Sequence, residues 1–166
     1  EISKILNGGV DDDVNIYFTN NHILFEFDDT IVVSRLIEAT NYFDTDKMIS
    51  NDYKTKITIN KKEMADCIDR ATLLIKEGDK KPVFLTIKDT EMELSINTFI
   101  GSMDESIPIS KEGSDIMISF NPKFLIDILK VLDQEQVSIF FTNPKAPCFI
   151  RDEENSYIYI VLPVVQ

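Results

Sequence analysis

Alternating apolar and polar positions recur along the chain in short runs, the pattern of strands with one buried face. The segments VNIYF at 14–18, HILFEF at 22–27 and TIVVSRLI at 30–37 follow one another with short polar breaks between them. A similar succession returns near the other end of the chain, as VSIFF, PCFIR and SYIYIVLPV. Each set therefore predicts three consecutive strands joined by turns.

These two sets are copies of one unit. VNIYFTNN at 14–21 corresponds to VSIFFTNP at 137–144, with every matched pair 123 positions apart. The correspondence extends upstream without a gap, where Leu6 falls on Leu129. Each copy is thus predicted to be an apolar-faced helix followed by three strands, as expected for an internal repeat. Because a unit of that length fits the chain once with a remainder, the chain is expected to begin within a domain.

Between the two sets, a helix is predicted from Lys61 to Ile75. Asn60 followed by Glu63 is a capping-box pattern, and Gly78 is expected to end the helix. Apolar residues then recur at three-to-four spacing and form one stripe: Met64, Cys67, Ile68, Ala71, Leu74 and Ile75. Further strands are predicted at VFLTI, EMELSIN, a long edge-like stretch ending in IPIS, and DIMISF.

A second helix is predicted to follow these strands. Asn121 caps it, and Pro122 occupies the first helical position, where its missing N–H costs nothing. The predicted core face of this helix consists of Phe124, Leu125, Ile128, Leu129 and Leu132. Two helices against many strands predict a sheet-rich α+β fold.

The charge balance argues against a protein that wraps tightly around nucleic acid. Seventeen Lys and Arg stand against 29 Asp and Glu, a formal net charge of −12, which disfavours bare phosphate and anionic lipid. The 43% hydrophobic content and 11 Phe exclude a disordered chain. Because no apolar run approaches the ~18 residues of a membrane span, the sequence is typical of a soluble, cytoplasmic protein.

No residue pattern predicts catalysis, a cofactor or a metal. His22 is the only histidine, so no second imidazole completes a triad, and we interpret it as a surface loop residue. Cys67 and Cys148 lack metal-binding spacing, and we interpret both as small buried residues. The acidic runs at 11–13 and 152–154 lack the ligand spacing of a calcium loop, and phosphate-binding glycine motifs are absent from the sequence.

Two weaker features have both a structural and a functional interpretation. Each predicted helix carries cations on one exposed side, Lys62 and Arg70 on the first, and Lys123 and Lys130 on the second. These are either solvated faces or a locally positive surface that tolerates phosphate. The apolar ending YIYIVLPVVQ is either a closing strand or the wall of a pocket for a partner peptide.

Several separate segments occur in the order and near the spacing of one known family. They are SRLI at 34–37, NYF with DTDKMI at 41–49, FNPKFLIDILK at 120–130, FTNP at 141–144 and YIYIVLPV at 157–164. Through them the chain resembles the bacterial DNA polymerase III beta subunit, the sliding clamp, over essentially its whole length. The resemblance implies the DNA-clamp fold, with helices lining a ring and antiparallel sheets on its outer face. It also implies that residues 1–50 are the C-terminal part of the middle domain, and 51–166 the complete third domain.

The same resemblance implies a function without chemistry. The family's subunits pair into a homodimer ring that encircles duplex DNA independently of sequence, and a processivity factor of this kind tethers the replicative polymerase during DNA replication. The implied protein partners are the DNA polymerase III alpha subunit, the clamp loader and other proteins with a clamp-binding motif. No cofactor and no metal are implied.

Three groups of residues correspond to the family's functional positions. The peptide-binding group is Phe43, Lys47, Met48, Asn121, Phe124, Pro147, Ile160, Leu162, Pro163 and Val164. The DNA-facing group is Lys62, Arg70, Lys123 and Lys130, and the subunit-interface group is Leu73, Leu74, Asp104 and Glu105. Two alternatives remain open, namely a stand-alone peptide-binding or assembly module that uses the clamp fold without DNA, and an enzyme with an unrecognised carboxylate site.

Overall fold

The computed structural model describes residues 13–37, 49, 52–76, 78–154 and 156–165. The chain divides into two compact units, residues 1–49 and residues 50–166. In the first unit, the described residues form the strands β1 (Asn15–Phe18), β2 (His22–Phe27) and β3 (Thr30–Arg35). They pair antiparallel in sequential order, which confirms the three predicted strands. The helix predicted before β1 lies outside the described residues.

The second unit contains, among its described residues, eight strands and two helices. They are β4 (Thr55–Asn60), α1 (Lys61–Thr72), β5 (Val83–Lys88), β6 (Glu91–Asn97), β7 (Ser102–Gly113), β8 (Ile116–Phe120), α2 (Pro122–Val131), β9 (Gln136–Phe141), β10 (Cys148–Arg151) and β11 (Ile158–Val161). All the strand pairs are antiparallel, in the order β11-β10-β9-β4-β7-β6-β5-β8. The meander β9-β10-β11 repeats the topology of β1-β2-β3, as the internal repeat predicts.

The core of the second unit lies between its sheet and its helices. Alternate residues of β4, such as Ile57 and Ile59, are buried, because successive side chains of a strand point to opposite faces. The apolar stripes of α1 and α2 cover that face. Cys67 and Cys148 are free thiols buried within the core. This arrangement confirms the α+β fold. Within the described part of the chain, no helix is long and apolar enough to cross a membrane.

The first helix is shorter than its apolar stripe predicts. It ends at Thr72, so the predicted end at Ile75 is wrong by three residues, and Gly78 lies too far on to be the stop. The reason is a tighter turn, in which the N–H of Leu74 binds the carbonyl of Ala71 and that of Ile75 binds Thr72. Such i to i−3 bonds often end an α-helix. Leu74 and Ile75 remain packed against the core, which explains why the periodicity continues beyond the helix.

Two further predictions are corrected by the structure. Phe124 was placed on the core face of α2, but its side chain is half-exposed and Ile126 is buried instead. The long strand β7 was predicted to be edge-like, but only part of it lies at an edge of the sheet. Its residues 109–113 pair with β4, whereas residues 102–108 pair with β6 and have no second partner strand among the described residues. We call residues 102–108 the open edge.

One glycine is required where β7 ends. Gly113 has φ +94, a region that side chains other than glycine rarely adopt. A Cβ atom there would lie 1.9 Å from the carbonyl oxygen of Lys54. The close approach allows Ser114 to donate its N–H to that same oxygen at 3.2 Å. Glycine therefore fixes the turn that feeds β8, the strand preceding α2.

Candidate functional site

An apolar cleft of about 380 Å³ lies between α2 and β11. Phe124 and Ile128 line it from the helix, and Tyr159, Ile160 and Leu162 line it from the strand and the residues that follow. Phe124 is 52% exposed and Leu162 is also exposed. Among the described residues of the lining, Asp127 is the one that carries a charge, and large apolar side chains held at a concave surface favour a short, largely apolar ligand.

The start of α2 sets the position of Phe124. Asn121 is the N-cap, and its side-chain oxygen accepts a hydrogen bond from the N–H of Lys123 at 3.0 Å. Leu125 and Leu129 are buried below the helix. Because residues four apart share a helix face, that stripe leaves Phe124 at the flank, where it becomes a wall of the cleft.

The residues after β11 run from the apolar cleft to a second, smaller one. We call residues 162–165 the tail. Leu162 lines the apolar cleft, whereas Val164 and Val165 line a depression of about 160 Å³ that includes Phe84 and Met117. The tail therefore contributes apolar side chains to both depressions.

The predicted peptide-binding group is only partly brought together. Phe124, Ile160 and Leu162 share the apolar cleft, and Val164 lies in the neighbouring depression. Pro147 and Pro163 are half-buried, and the side-chain oxygen of Asn121 is engaged in the helix cap. Three further members lie outside the described residues: Phe43, Lys47 and Met48.

A groove of about 680 Å³ lies between the end of α1 and the start of α2. Four lysines and three aspartates line it together with uncharged residues, and we call it the lysine groove. Of the predicted DNA-facing group it contains Lys123 and Lys130, and it adds Lys80 and Lys81 from the loop after α1. The aspartates are Asp69, Asp79 and Asp127. The surplus of positive charge is small, which suits loose contact with phosphate better than tight binding.

The other two predicted DNA-facing residues have different surroundings. Lys62 is exposed in a separate groove that is rich in acids, including Asp66 and Asp133. Arg70 forms a two-bond ion pair with Glu105, in which Nε lies 3.0 Å from one carboxylate oxygen and NH2 binds the other. The Arg70 guanidinium is therefore already engaged with a carboxylate rather than held for a phosphate.

That ion pair joins α1 to the open edge. A hydrogen bond from Arg70 lowers the pKa of the Glu105 carboxyl below its usual value, and the same bond raises the pKa of Arg70. Leu73, the residue that directly follows α1, is 79% exposed, while Leu74 packs on the core. The predicted subunit-interface residues therefore lie at the end of α1 and along the open edge, where Asp104 is exposed.

Sequence reasoning missed two residues beside this surface. Phe99, 96% exposed, and Ile100 occupy the turn between β6 and β7. The turn is closed by Thr98, whose N–H donates to the carbonyl of Gly101 at 2.9 Å, and a Cβ on Gly101 would lie 3.8 Å from Leu74 Cδ2. Two bulky apolar residues in a tight turn, where polar residues are usual, were the signal that could have revealed them.

The histidine and the described acidic residues for which the sequence predicts no catalytic or metal-binding role lie in exposed strands and turns and form common hydrogen bonds and ion pairs. His22 begins β2 rather than lying in a loop, and it is exposed, with its backbone N–H bonded to Thr19 Oγ1 at 3.0 Å. Asp152 accepts a hydrogen bond from the N–H of Ser156 at 2.8 Å, and Lys56 lies 3.6 Å from Glu153. Among the described residues there is no group of three acids, histidines or cysteines that could hold a metal ion.

Comparison with known proteins gives one consistent family. Residues 46–165 match the family described as DNA polymerase III beta subunit, C-terminal domain. The beta sliding clamp of Bacillus subtilis is 38% identical over 168 residues, an alignment covering 99% of this chain and 44% of the clamp. The beta sliding clamp of Staphylococcus aureus is 32% identical over 167 residues, with the same shares covered. The chain thus spans less than half the length of these relatives.

Solved structures agree with the sequence matches. A DNA polymerase III beta subunit from Eubacterium rectale superposes with a TM-score of 0.90 at 63% identity, covering 98% of this chain and 44% of that one. The sliding clamp of Bartonella birtlesii, solved bound to griselimycin, has a TM-score of 0.90 at 25% identity and covers 99% of this chain and 44% of that clamp. The chain therefore belongs to the family of DNA polymerase III beta subunits, the sliding clamps.

Proposed function

We propose that this chain is the C-terminal portion of a sliding clamp, a non-catalytic processivity factor that acts in the cytoplasm. Residues 1–50 would form the end of its middle domain and 51–166 its third domain. The match to the family's C-terminal domain over residues 46–165 and the coverage of 44% of full-length relatives support this assignment. In the full-length protein, two subunits would close a ring around duplex DNA.

The observation that carries the proposal is the apolar cleft between α2 and β11. Two of its walls are the regular elements α2 and β11, and Leu162 of the tail completes it, so most of its shape exists before a ligand arrives and binding requires little ordering of those two walls. We propose that it receives the clamp-binding motifs of the DNA polymerase III alpha subunit, the clamp loader and other partners. A ligand, griselimycin, is bound by the Bartonella birtlesii clamp that shares this fold.

The lysine groove is our proposed DNA-facing surface. Lys123 and Lys130 are exposed on α2, and Lys80 and Lys81 extend the positive charge along the adjoining loop. A ring holds DNA by topology, so its lining needs only to be tolerant of phosphate. A small positive surplus meets that need, and it reconciles a DNA partner with an overall charge of −12.

The open edge and the apolar residues beside it form the proposed subunit interface. Residues 102–108 present unpaired strand hydrogen-bonding groups on one side, and an open edge of this kind is a template for another strand. Leu73, Phe99 and Ile100 expose apolar area next to it. Burying such area against the partner subunit would stabilise the closed ring.

Two measurements test the proposal. In the first, a fluorescently labelled clamp-binding peptide from a polymerase III alpha subunit is titrated with the chain, and anisotropy should rise to saturation. A scrambled peptide is the control. In the second, the full-length protein is loaded by its clamp loader on nicked circular DNA, and it should dissociate after the circle is linearised.

The outcomes separate the candidate functions. Peptide binding without retention on circular DNA would favour the stand-alone peptide-binding module. Retention that survives linearisation would indicate ordinary DNA affinity rather than encirclement. Absence of peptide binding by the chain would refute the role of the apolar cleft.

A further inference from the structure

The tail connects the two ends of the eight-stranded sheet. β11 and β8 occupy opposite ends of the strand order, so no sheet pairing joins them. After Val161 the tail leaves β11, and at Val164 it reaches β8. At its start, Leu162 forms part of the apolar cleft beside α2.

One serine holds the tail at its far end. The N–H of Val164 donates to the carbonyl of Ser119 at 2.8 Å, and the hydroxyl of Ser119 donates to the carbonyl of Val164 at 2.7 Å. Ser119 is only 7% exposed and lies within β8, which is paired to β5. Of the two residues joined by these bonds, Ser119 is therefore held firmly by the sheet.

Burial of apolar side chains contributes less to holding the tail, in which Pro163 is half-buried. Leu162, Val164 and Val165 are all exposed, so their burial contributes only part of what fully buried side chains would. The paired bonds at Ser119 lie two residues after Leu162, the tail residue that lines the apolar cleft.

We propose that Ser119 is a positioning residue for the apolar cleft. Its hydroxyl bond holds the tail so that Leu162 faces Phe124 across the cleft before a ligand arrives. The inference rests on the proposed function of the cleft and deepens it, because Ser119 does not line the cleft and acts only through the tail. Losing one such bond leaves a less ordered wall, and the ligand must then bear the cost of ordering it.

The test compares three variants of the full chain with the unaltered chain, using griselimycin as the probe. Ser119→Ala removes the hydroxyl, and Ser119→Thr restores one. Ser138→Ala is the matched control, because Ser138 is a half-buried strand serine whose hydroxyl lies 3.5 Å from that of Thr58 in another part of the sheet. Affinity is measured by calorimetry, tail order by hydrogen exchange of residues 162–165, and stability by melting.

Ser119→Ala should weaken griselimycin binding about three- to tenfold, the range that one net hydrogen bond supplies. Exchange of the tail amides should accelerate, with the core amides unchanged. Ser119→Thr should recover most of the affinity, and Ser138→Ala should bind as the unaltered chain does.

The results distinguish the two proposals. If the unaltered chain binds griselimycin and Ser119→Ala binds equally well, the positioning role of Ser119 is wrong while the cleft stands. Weaker binding without faster tail exchange would likewise overturn it. If the unaltered chain does not bind, the proposed ligand role of the cleft fails, and the inference fails with it.

Discussion

The contrast between Phe124 and Leu129 separates binding from stability on one helix. Leu129 is 2% exposed and lies in the core, whereas Phe124 is 52% exposed and lines the apolar cleft. Replacing a buried Leu by Ala costs about 3 kcal/mol through lost burial and the cavity left behind. Leu129→Ala should therefore lower the free energy of unfolding by that amount.

Phe124→Ala should cost much less stability. Full burial of a Phe side chain contributes up to about 3 kcal/mol, of which a half-exposed ring retains about half. The gain in helix propensity on changing Phe to Ala returns about 0.5 kcal/mol, which leaves a loss near 1 kcal/mol. At about 3 °C per kcal/mol for a chain of this size, melting should fall by roughly 9 °C for Leu129→Ala and 3 °C for Phe124→Ala.

The affinity for a polymerase-derived peptide should change in the opposite order. Phe124→Ala removes an aromatic wall and should weaken binding by about tenfold or more, as expected for an aromatic anchor in a pocket. Leu129→Ala should bind nearly normally at temperatures where it remains folded. Scanning calorimetry gives the melting temperature, and fluorescence anisotropy on the same samples gives the affinity for the peptide. Equal loss of stability in the two variants would show that Phe124 is a core residue and would refute the reasoning.

Three more outcomes are expected. The double variant Lys123→Glu, Lys130→Glu should shorten the residence time of the loaded full-length clamp on circular DNA, because it makes the lysine groove negative. Because the pKa of Glu105 is lowered from 4.5, its ion pair stabilises the fold above pH 4.5 and is lost as pH falls through the lowered value. Melting temperature should thus fall more steeply below pH 4.5 in the unaltered chain than in Glu105→Gln. Burial raises the pKa of Cys67 to about 11 and that of Cys148 to about 12, so neither thiol should react with Ellman's reagent at pH 8 until the chain is unfolded.

Each of these has a matched control. The double variant Lys54→Glu, Lys88→Glu changes the net charge by the same amount at two exposed lysines outside the lysine groove, and it should leave DNA residence unchanged. An equal effect on residence would show that net charge alone is responsible. Asp104→Asn, on the same strand as Glu105, should retain the steep fall of melting temperature below pH 4.5. Parallel curves of melting temperature against pH for the unaltered chain and Glu105→Gln would argue against a stabilising ion pair. Rapid labelling of folded chain would contradict the burial of the two cysteines.

Local patterns predicted most of the elements because they report which face of each segment is buried. The strands β1 to β3 and β9 to β11 follow from period-two alternation, and the repeat adds that both sets form the same meander. The two N-caps, Asn60 and Asn121, accept the predicted backbone bonds from Glu63 and Lys123. These features depend on neighbours within a few residues, so a single sequence contains the information.

The errors arose where partners from distant parts of the chain decide the outcome. The apolar stripe extends to Ile75, but the helix does not, because residues in a turn can pack their side chains against the core just as helical residues do. Phe124 is as apolar as the residues that are buried on α2, and only the packing of the helix on the sheet leaves it at the flank. The DNA-facing role of Arg70 stays a prediction, but its ion pair with Glu105, which is 35 positions away, is another contact that the pattern of its own helix does not contain.

Local patterns along the chain were enough to predict the succession of strands and helices, the buried cysteines and, through several spaced segments, the resemblance to a family. The folded structure was needed to show that Phe124 leaves the core face of α2 for the apolar cleft, that residues 102–108 keep an open edge, and that Ser119 anchors the tail. Hydrophobic periodicity indicates whether a residue is buried, but it does not indicate which other residues bury it. Those contacts depend on strand order, and strand order is set by pairing between segments that are far apart in the chain.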